Sequence, residues 1–269
     1  GKKINQLKEE RLATSGEQGE EPKKGFEDYI YNKFEEEIVE EVEDIRQLEW
    51  PETIKNLADD ENFIGFIYAD GNRIGSFLRK FNNEYVKGED IDDEDYKALQ
   101  SKFSDALDNA TKEAVVEAVK EVMPPEDYIK QGQKYPVEFV IAGGDDLILM
   151  VPGDRALAVS DKFTKYFEDK INAKLAEKKK FAEIIKEHEV KITTSCGVAI
   201  AKSSYPINLL FDQSAQLLKS AKLRTYSLYQ AYKEDATAEH NYGAVDYDII
   251  NSSSIKKLAV KRKEEYKNG

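Results

Sequence analysis

Residues Phe139–Val151 read FVIAGGDDLILMV, and this stretch decides the fold that we predict for the chain. Two glycines and two aspartates, at positions 143–146, interrupt a run that is otherwise almost wholly apolar. Glycine and aspartate tolerate positive φ, so the composition predicts a tight hairpin between strands over Val137–Ala142 and Leu147–Val151. Carboxylates at the tip of a buried hairpin are costly, and the usual reason to hold them there is to bind a divalent metal.

A second acidic turn lies upstream of this hairpin. The strand-like run Phe63–Ala69 ends in Asp70 and passes through Gly71 and Asn72 into a helix predicted over Arg73–Phe81. Such a turn would offer the free amides of Gly71, Asn72 and the first helical residues to a phosphate group.

The other apolar patterns place this hairpin in a fold. Helices are predicted over Tyr96–Met123, from Arg155 to about Glu187 in one or two pieces, and from Pro206 onward; strands are predicted over Val190–Ala201 and, at an edge, Ala244–Ile250. The order βαββαβ indicates an α+β fold, ferredoxin-like with a split βαβ arrangement and long helical insertions. In that topology the first strand neighbours the hairpin, so the two acidic turns meet at one edge of the sheet.

Asp70, Asp145 and Asp146 are therefore the candidate metal ligands and catalytic residues. Mg²⁺ prefers carboxylate and phosphate oxygens, and a pair of metal ions can clamp the attacking hydroxyl and the leaving pyrophosphate of a nucleotidyl transfer. Lys219 and Lys222, on the helix after Pro206, are candidates to neutralise a triphosphate. Taken singly, Asp70 could be only a helix cap, and either lysine only a solvated helix residue.

Composition limits the class of protein. The 269 residues are 40% hydrophobic, which suits a folded globular chain, and the formal net charge of −13 argues against sequence-independent nucleic-acid binding. No apolar stretch approaches the roughly 20 residues of a membrane span, so we expect a cytoplasmic protein without a membrane partner. Cys196 is the single cysteine and is predicted to be an inert core residue, whereas His188 and His240 are predicted to lie at the surface.

Three segments are expected along the chain. Residues 1–58 combine a flexible lead-in with an acidic amphipathic helix, residues 59–255 form the catalytic domain, and residues 256–269 form a basic C-terminal helix. The acidic helix is predicted from apolar residues at three- and four-residue steps: Ile30, Phe34, Ile38, Val42 and Ile45.

Several motifs together resemble the polymerase/cyclase palm domain of the large subunit of type III CRISPR effector complexes, a relative of GGDEF diguanylate cyclases. Five pieces carry the resemblance, in family order across about residues 60–255: YADGNRIG at Tyr68–Gly75, GGDDLILMVP at Gly143–Pro152, SCGVAIAKSSYPI at Ser195–Ile207, LLKSAK at Leu217–Lys222 and VDYDIINSSS at Val245–Ser254. The motif GGDD alone would be weak evidence for this family, whereas five pieces in the family's order are specific evidence for it.

The resemblance implies a nucleotidyltransferase that uses ATP, or another nucleoside triphosphate, with Mg²⁺ or Mn²⁺ to make cyclic oligoadenylate second messengers in antiviral defence. It implies that the three aspartates hold metal, that Gly143 and Gly144 let the nucleotide approach closely, and that Lys222 contacts phosphate. Ser195 is a candidate for contacting the base or ribose. Partners implied are CRISPR effector subunits, with RNA reached only through them.

The sequence also departs from the family's larger pattern. It has no His-Asp dipeptide, so a nuclease domain is not expected, and one cysteine cannot build a zinc module. Only one palm is recognisable, so closing a ring would require a homodimer or a second palm domain. Two alternatives stay open: a template-dependent or terminal nucleotide polymerase, and a catalytically silent palm that serves as a scaffold.

Overall fold

The computed structural model of the chain describes residues 49–83, 93–188, 191–234 and 243–251. The strands are β1 (Phe63–Asn72), β2 (Glu138–Gly143), β3 (Asp146–Pro152), β4 (Thr193–Lys202) and β5 (Val245–Ile250). The helices are α1 (Ile74–Phe81), α2 (Asp93–Val122), α3 (Pro125–Gln131), α4 (Ala156–Ala176), α5 (Lys179–His188) and α6 (Ile207–Glu234), preceded by a 3-10 turn at Ile54–Leu57.

The five strands form one sheet in the order β2-β3-β1-β4-β5. Strand β1 is antiparallel to both β3 and β4, and β2 pairs with β3 as a hairpin. A strand that separates two parallel strands of a βαβ unit is the mark of the split arrangement, so the predicted α+β fold is confirmed. The edge strand is also confirmed, and β5 lies parallel to β4.

Helices cover the two faces of the sheet differently. On one face α2 and α4 pack over a large core that contains Ile67, Val198 and Phe163. On the other face α6 lies over β4 and β1, where a smaller core includes Phe66 and Leu217. Alternate residues of β1 therefore point to opposite cores, as the pleat of a strand requires.

The approach of α6 to the sheet is very close at one residue. A Cβ built on Gly197 of β4 would lie 2.1 Å from the carbonyl oxygen of Ser214 and 2.2 Å from the amide nitrogen of Leu218. Any side chain at this position would push α6 away from the sheet. The glycine thus sets how deeply the helix lies on β4.

Some predicted boundaries are wrong. Strand β1 continues past Ala69 through Asp70, Gly71 and Asn72, because these residues pair with β4. Gly71 and Asn72 are therefore strand residues, and the prediction that they form a turn between the first strand and the helix is wrong. Helix α1 begins only at Ile74, after a left-handed Arg73 (φ 61°).

The second long helical pattern forms two helices, α4 and α5, which agrees with the broken version of the prediction. The acidic amphipathic helix and the basic C-terminal helix lie outside the described residues, as does His240, and the side chain of His188 is likewise outside them. Within the ranges that the structure describes, no helix combines the length and apolar character needed to cross a bilayer.

Candidate functional site

The end of β1 carries the first acidic residue of the site, and it is paired with a cation. Lys222 of α6 places its Nζ 2.6 Å from Oδ2 of Asp70, and both side chains are about one-third exposed (32% and 34%). The same Nζ donates a hydrogen bond of 3.0 Å to the carbonyl oxygen of Gly71. Lys222 thus reaches the two oxygens at the end of β1, so two of the predicted site residues are in contact.

The β2–β3 turn supplies the other two carboxylates. Asp146 is the first residue of β3 and pairs with Gly143, so only Gly144 and Asp145 form the turn. Gly144 has a φ of 60°, a left-handed conformation that glycine adopts without strain. The predicted tight hairpin is confirmed.

The end of β1 and the β2–β3 turn come together closely enough for their carboxylates to affect one another. Burial, followed by the negative charge of Asp70, raises the pKa of Asp145 to about 6. Burial and then Asp70 also raise the pKa of Asp146, against an opposing effect of Lys222. Among the described residues, the three carboxylates of the site therefore carry more negative charge than Lys222 balances, which is an environment that attracts cations.

Gly71 explains how the end of β1 and the β2–β3 turn can approach each other. A Cβ built on this residue would lie 2.9 Å from Cβ of Asp145 and 3.0 Å from its Oδ2, and 2.3 Å from Cδ1 of Ile74. A larger residue would displace Asp145 from the end of β1. Gly71 therefore makes room for Asp145 beside the end of β1.

Behind the carboxylates lies a buried hydrogen-bonded network. Asn72 donates from Nδ2 to Oγ1 of Thr193 (2.9 Å) and accepts from Oγ of Ser195 (3.0 Å). Ser195 also lies 3.2 Å from Oγ1 of Thr225 on α6. Ser195 is fully buried, so the structure gives its hydroxyl protein partners and places it beneath the surface of the site.

Arg73 was not singled out by sequence reasoning, and it lies next to this network. Its guanidinium carbon lies 3.5 Å from the ring centroid of Tyr229 on α6, a cation–π contact. Its Nε and Nη2 are buried and have no hydrogen-bond acceptor in the described part of the chain. Burial lowers the pKa of Arg73. The signal that could have found it is an arginine directly after the DGN sequence that ends β1.

The remaining predicted site residues occupy distinct positions. Lys219 is exposed on α6, one helical turn before Lys222, and Gly143 ends β2 beside the turn. Cys196 is fully buried and burial raises the pKa of its thiol, which agrees with the predicted core role.

The donor chemistry at this sheet edge fits a hard cation. Three carboxylates that repel one another, together with the carbonyl oxygen of Gly71, are the kind of ligands that Mg²⁺ and Mn²⁺ take. Across the described ranges, however, no three carboxylate, imidazole or thiol groups are already gathered as a ligand set. A metal would therefore compete with Lys222 for Asp70 and draw the carboxylates together.

Comparison with known proteins identifies the domain. The family model described as Cas10/Cmr2, second palm domain, matches residues 63–227, which is more than half of the chain. This span contains all three aspartates and Lys222. No curated protein matches the chain.

Solved structures resemble the fold distantly. Csm1 from T. onnurineus has a TM-score of 0.45 at 16% identity over 66% of this chain and 23% of its own. The Csm1–Csm4 cassette in complex with AMPPNP has a TM-score of 0.44 at 17% identity, over 64% and 21%. The GGDEF domain of DgcB from Caulobacter crescentus, in complex with c-di-GMP, has a TM-score of 0.35 at 13% identity, over 69% and 77%. The chain spans about a fifth of the length of those Csm1 chains.

Proposed function

Because this chain belongs to the Cas10/Cmr2 second palm domain family, we propose that it is a metal-dependent nucleotidyltransferase that makes cyclic oligoadenylates from ATP in CRISPR-linked defence. The observation that carries the proposal is the meeting of Asp70 with Asp145 and Asp146 beside Lys222, where each carboxylate of the hairpin has a raised pKa. This excess of negative charge favours a bound cation, and the lysine favours a phosphate.

The protein's own residues have separate tasks in this proposal. The three aspartates hold Mg²⁺ or Mn²⁺, which when bound would activate the attacking hydroxyl and stabilise the leaving pyrophosphate. Lys222 moves from Asp70 to a phosphate oxygen of ATP, because the metal then neutralises the aspartate. Asn72 is held by Thr193 and Ser195 beneath the site and fixes the end of β1.

Closing a ring requires two nucleotides to face each other, and this domain supplies one acidic site. We therefore propose that a second palm, from another copy of the chain or from another domain, completes the reaction. Effector subunits of a CRISPR complex are the partners that we infer for the assembled protein.

The test is incubation of the protein with ATP and Mn²⁺, followed by chromatographic separation of the products before and after phosphatase treatment. Cyclic products resist phosphatase, whereas linear products that carry a 5′-triphosphate lose it. We expect resistant products, with a rate that rises more steeply than in proportion to protein concentration if two copies combine.

The deciding variant is Asp145→Ala with Asp146→Ala, which should abolish product formation. The matched control is Asp161→Ala with Asp212→Ala, because it removes two exposed carboxylates from helices away from the site. Linear products alone would favour the polymerase alternative. No product under any condition, with the fold intact, would favour the scaffold.

A further inference from the structure

Helix α2 holds the acidic turn by both backbone groups of a single residue. The amide nitrogen of Gly144 donates to Oδ1 of Asp108 at 3.2 Å. The carbonyl oxygen of Gly144 accepts from Oγ1 of Thr111 at 2.6 Å. Asp108 and Thr111 are three residues apart and so lie on one face of α2, one above the other.

The two side chains of α2 are themselves fixed. Thr111 is fully buried, and Lys112 pairs with Oδ2 of Asp108 at 2.6 Å, with only 14% of the lysine side chain exposed. Each carboxylate oxygen of Asp108 thus has its own partner: Oδ1 the turn, and Oδ2 the lysine. A charge-assisted pair in a half-buried setting holds a side chain more firmly than a neutral one.

The two hydrogen bonds from α2 go beyond what a two-residue turn needs to satisfy its backbone groups. A hairpin turn satisfies its backbone groups from its own strands or from water, because it lies at the surface. Here a buried hydroxyl and a carboxylate from another element hold the peptide groups of Gly144, directly before Asp145. Gly71 packs against Asp145, where a Cβ on the glycine would lie 2.9 Å from that of the aspartate.

We propose that Asp108 and Thr111 are positioning residues, which hold the turn so that Asp145 and Asp146 face Asp70 at the distance a shared cation requires. The inference rests on the proposed function because it assumes that the aspartates bind a metal. The hydrogen bonds that hold the turn are observed independently of that assumption. Neither residue touches a nucleotide or metal in this assignment, and both act through the peptide groups of Gly144.

The experiment is a titration of the purified protein with Mn²⁺, followed by the paramagnetic signal of the free ion, together with thermal unfolding in EDTA. Thr111→Val keeps the shape of the side chain but removes the donor to Gly144, and Asp108→Ala removes the acceptor. We expect both to weaken Mn²⁺ binding by about 10- to 100-fold, as outer-shell partners of metal ligands do. Thr111→Ser, which keeps the hydroxyl that Thr111→Val removes, should bind Mn²⁺ with an affinity within a few-fold of that of the wild type.

Thr164→Val is the matched control, because Thr164 is a buried threonine whose hydroxyl donates to the backbone of its own helix, at Asp161, away from the turn. It should lower the unfolding temperature comparably without changing Mn²⁺ affinity. Where turnover is measurable, Thr111→Val should lose rate at low Mn²⁺ and regain most of it at saturating Mn²⁺, with the KM for ATP unchanged.

Unchanged Mn²⁺ affinity in both Thr111→Val and Asp108→Ala would overturn the proposal, as would absence of Mn²⁺ binding by the wild type. The proposed function fails separately: a wild type that binds Mn²⁺ but converts no ATP favours the scaffold over the cyclase, and the titration still decides the role of the two residues.

Discussion

Lys222 Nζ lies 2.6 Å from Asp70 Oδ2, so a cation of α6 neutralises the carboxylate that a bound metal would need. The same lysine donates to the carbonyl oxygen of Gly71. In the proposed function, lysine and metal would compete for Asp70, and a nucleotide would resolve the competition because it would bring phosphates to the lysine and a metal to the aspartate.

Removing the lysine should separate metal binding from nucleotide binding. In Lys222→Met the competitor of the metal is gone, so we expect the protein alone to bind Mn²⁺ several-fold more tightly. ATP should bind more weakly because a phosphate contact is lost. Calorimetric titration with Mn²⁺, and then with ATP in the presence of Mn²⁺, measures both effects. Arg224→Met is the control, since it removes the same charge from an exposed position of α6; equal effects in the two variants would contradict the competition.

Relief of charge repulsion should stabilise the protein while it impairs the site. Asp145→Asn removes one negative charge beside Asp70, and its amide can still donate a hydrogen bond. We expect the free energy of unfolding at neutral pH to rise by about 1 kcal/mol, because the group is partly exposed and solvent screens the repulsion. Denaturant unfolding in EDTA measures this gain, and Mn²⁺ titration should show weaker binding. A loss of stability would mean that the two carboxylates do not repel each other.

The partly buried Glu168 of α4 predicts a pH dependence of stability away from the site. Its Oε1 accepts a 2.5 Å hydrogen bond from the amide of Gly243, yet burial raises its pKa from 4.5 to about 7. Because the folded-state pKa is the higher one, its stabilising contribution is complete below pH 4.5 and is lost as the pH rises through about 7.

We therefore expect Glu168→Gln to gain stability relative to the wild type as the pH is raised from 5 to 8, by up to about 3 kcal/mol, since each pKa unit corresponds to about 1.4 kcal/mol. Denaturant unfolding at several pH values gives the difference. Asp161→Asn, an exposed change on the same helix, should show the same dependence of the free energy of unfolding on pH as the wild type. A pH-independent gap between Glu168→Gln and the wild type would refute the raised pKa.

Arg73 offers a test of whether a cation next to the site serves the reaction. Arg73→Met keeps an unbranched chain against Tyr229 and removes two buried donors that lack acceptors among the described residues. Unsatisfied buried groups cost about 1–3 kcal/mol each, so the unfolding temperature should stay the same or rise. If the guanidinium binds a phosphate of the substrate, the KM for ATP should rise at the same time. Lower stability with unchanged ATP kinetics would mean that Arg73 has a structural role and does not bind substrate.

Much of the architecture could be predicted because it depends on local patterns. The glycine–aspartate turn identifies the hairpin, and the split βαβ order then places Asp70 beside it. The residue at which β1 ends could not be predicted from local patterns. Gly71 and Asn72 have low strand propensity, but pairing with Thr194 and Thr193 of β4 overrides it.

The arrangement of side chains in the site was less accessible to sequence reasoning. The resemblance predicts the lysine as a phosphate ligand, whereas its observed contact with Asp70 depends on where α6 crosses the sheet. The holding of Gly144 by Asp108 and Thr111 was missed for a similar reason, since neither residue stands out in a long amphipathic helix. Contacts between distant segments carry no local signature.

Gly197 ties the chemistry of the site to a position that carries no functional group. Its missing side chain lets the backbone of α6 rest on β4 at Ser214 and Leu218, and Lys222 lies one turn beyond Leu218 on the same face. An added methyl group there would tilt or lift the helix and so lengthen the gap between Lys222 and Asp70. A variant of this glycine would then look like an active-site defect in an assay, although the residue is buried under the helix and reaches neither substrate nor metal.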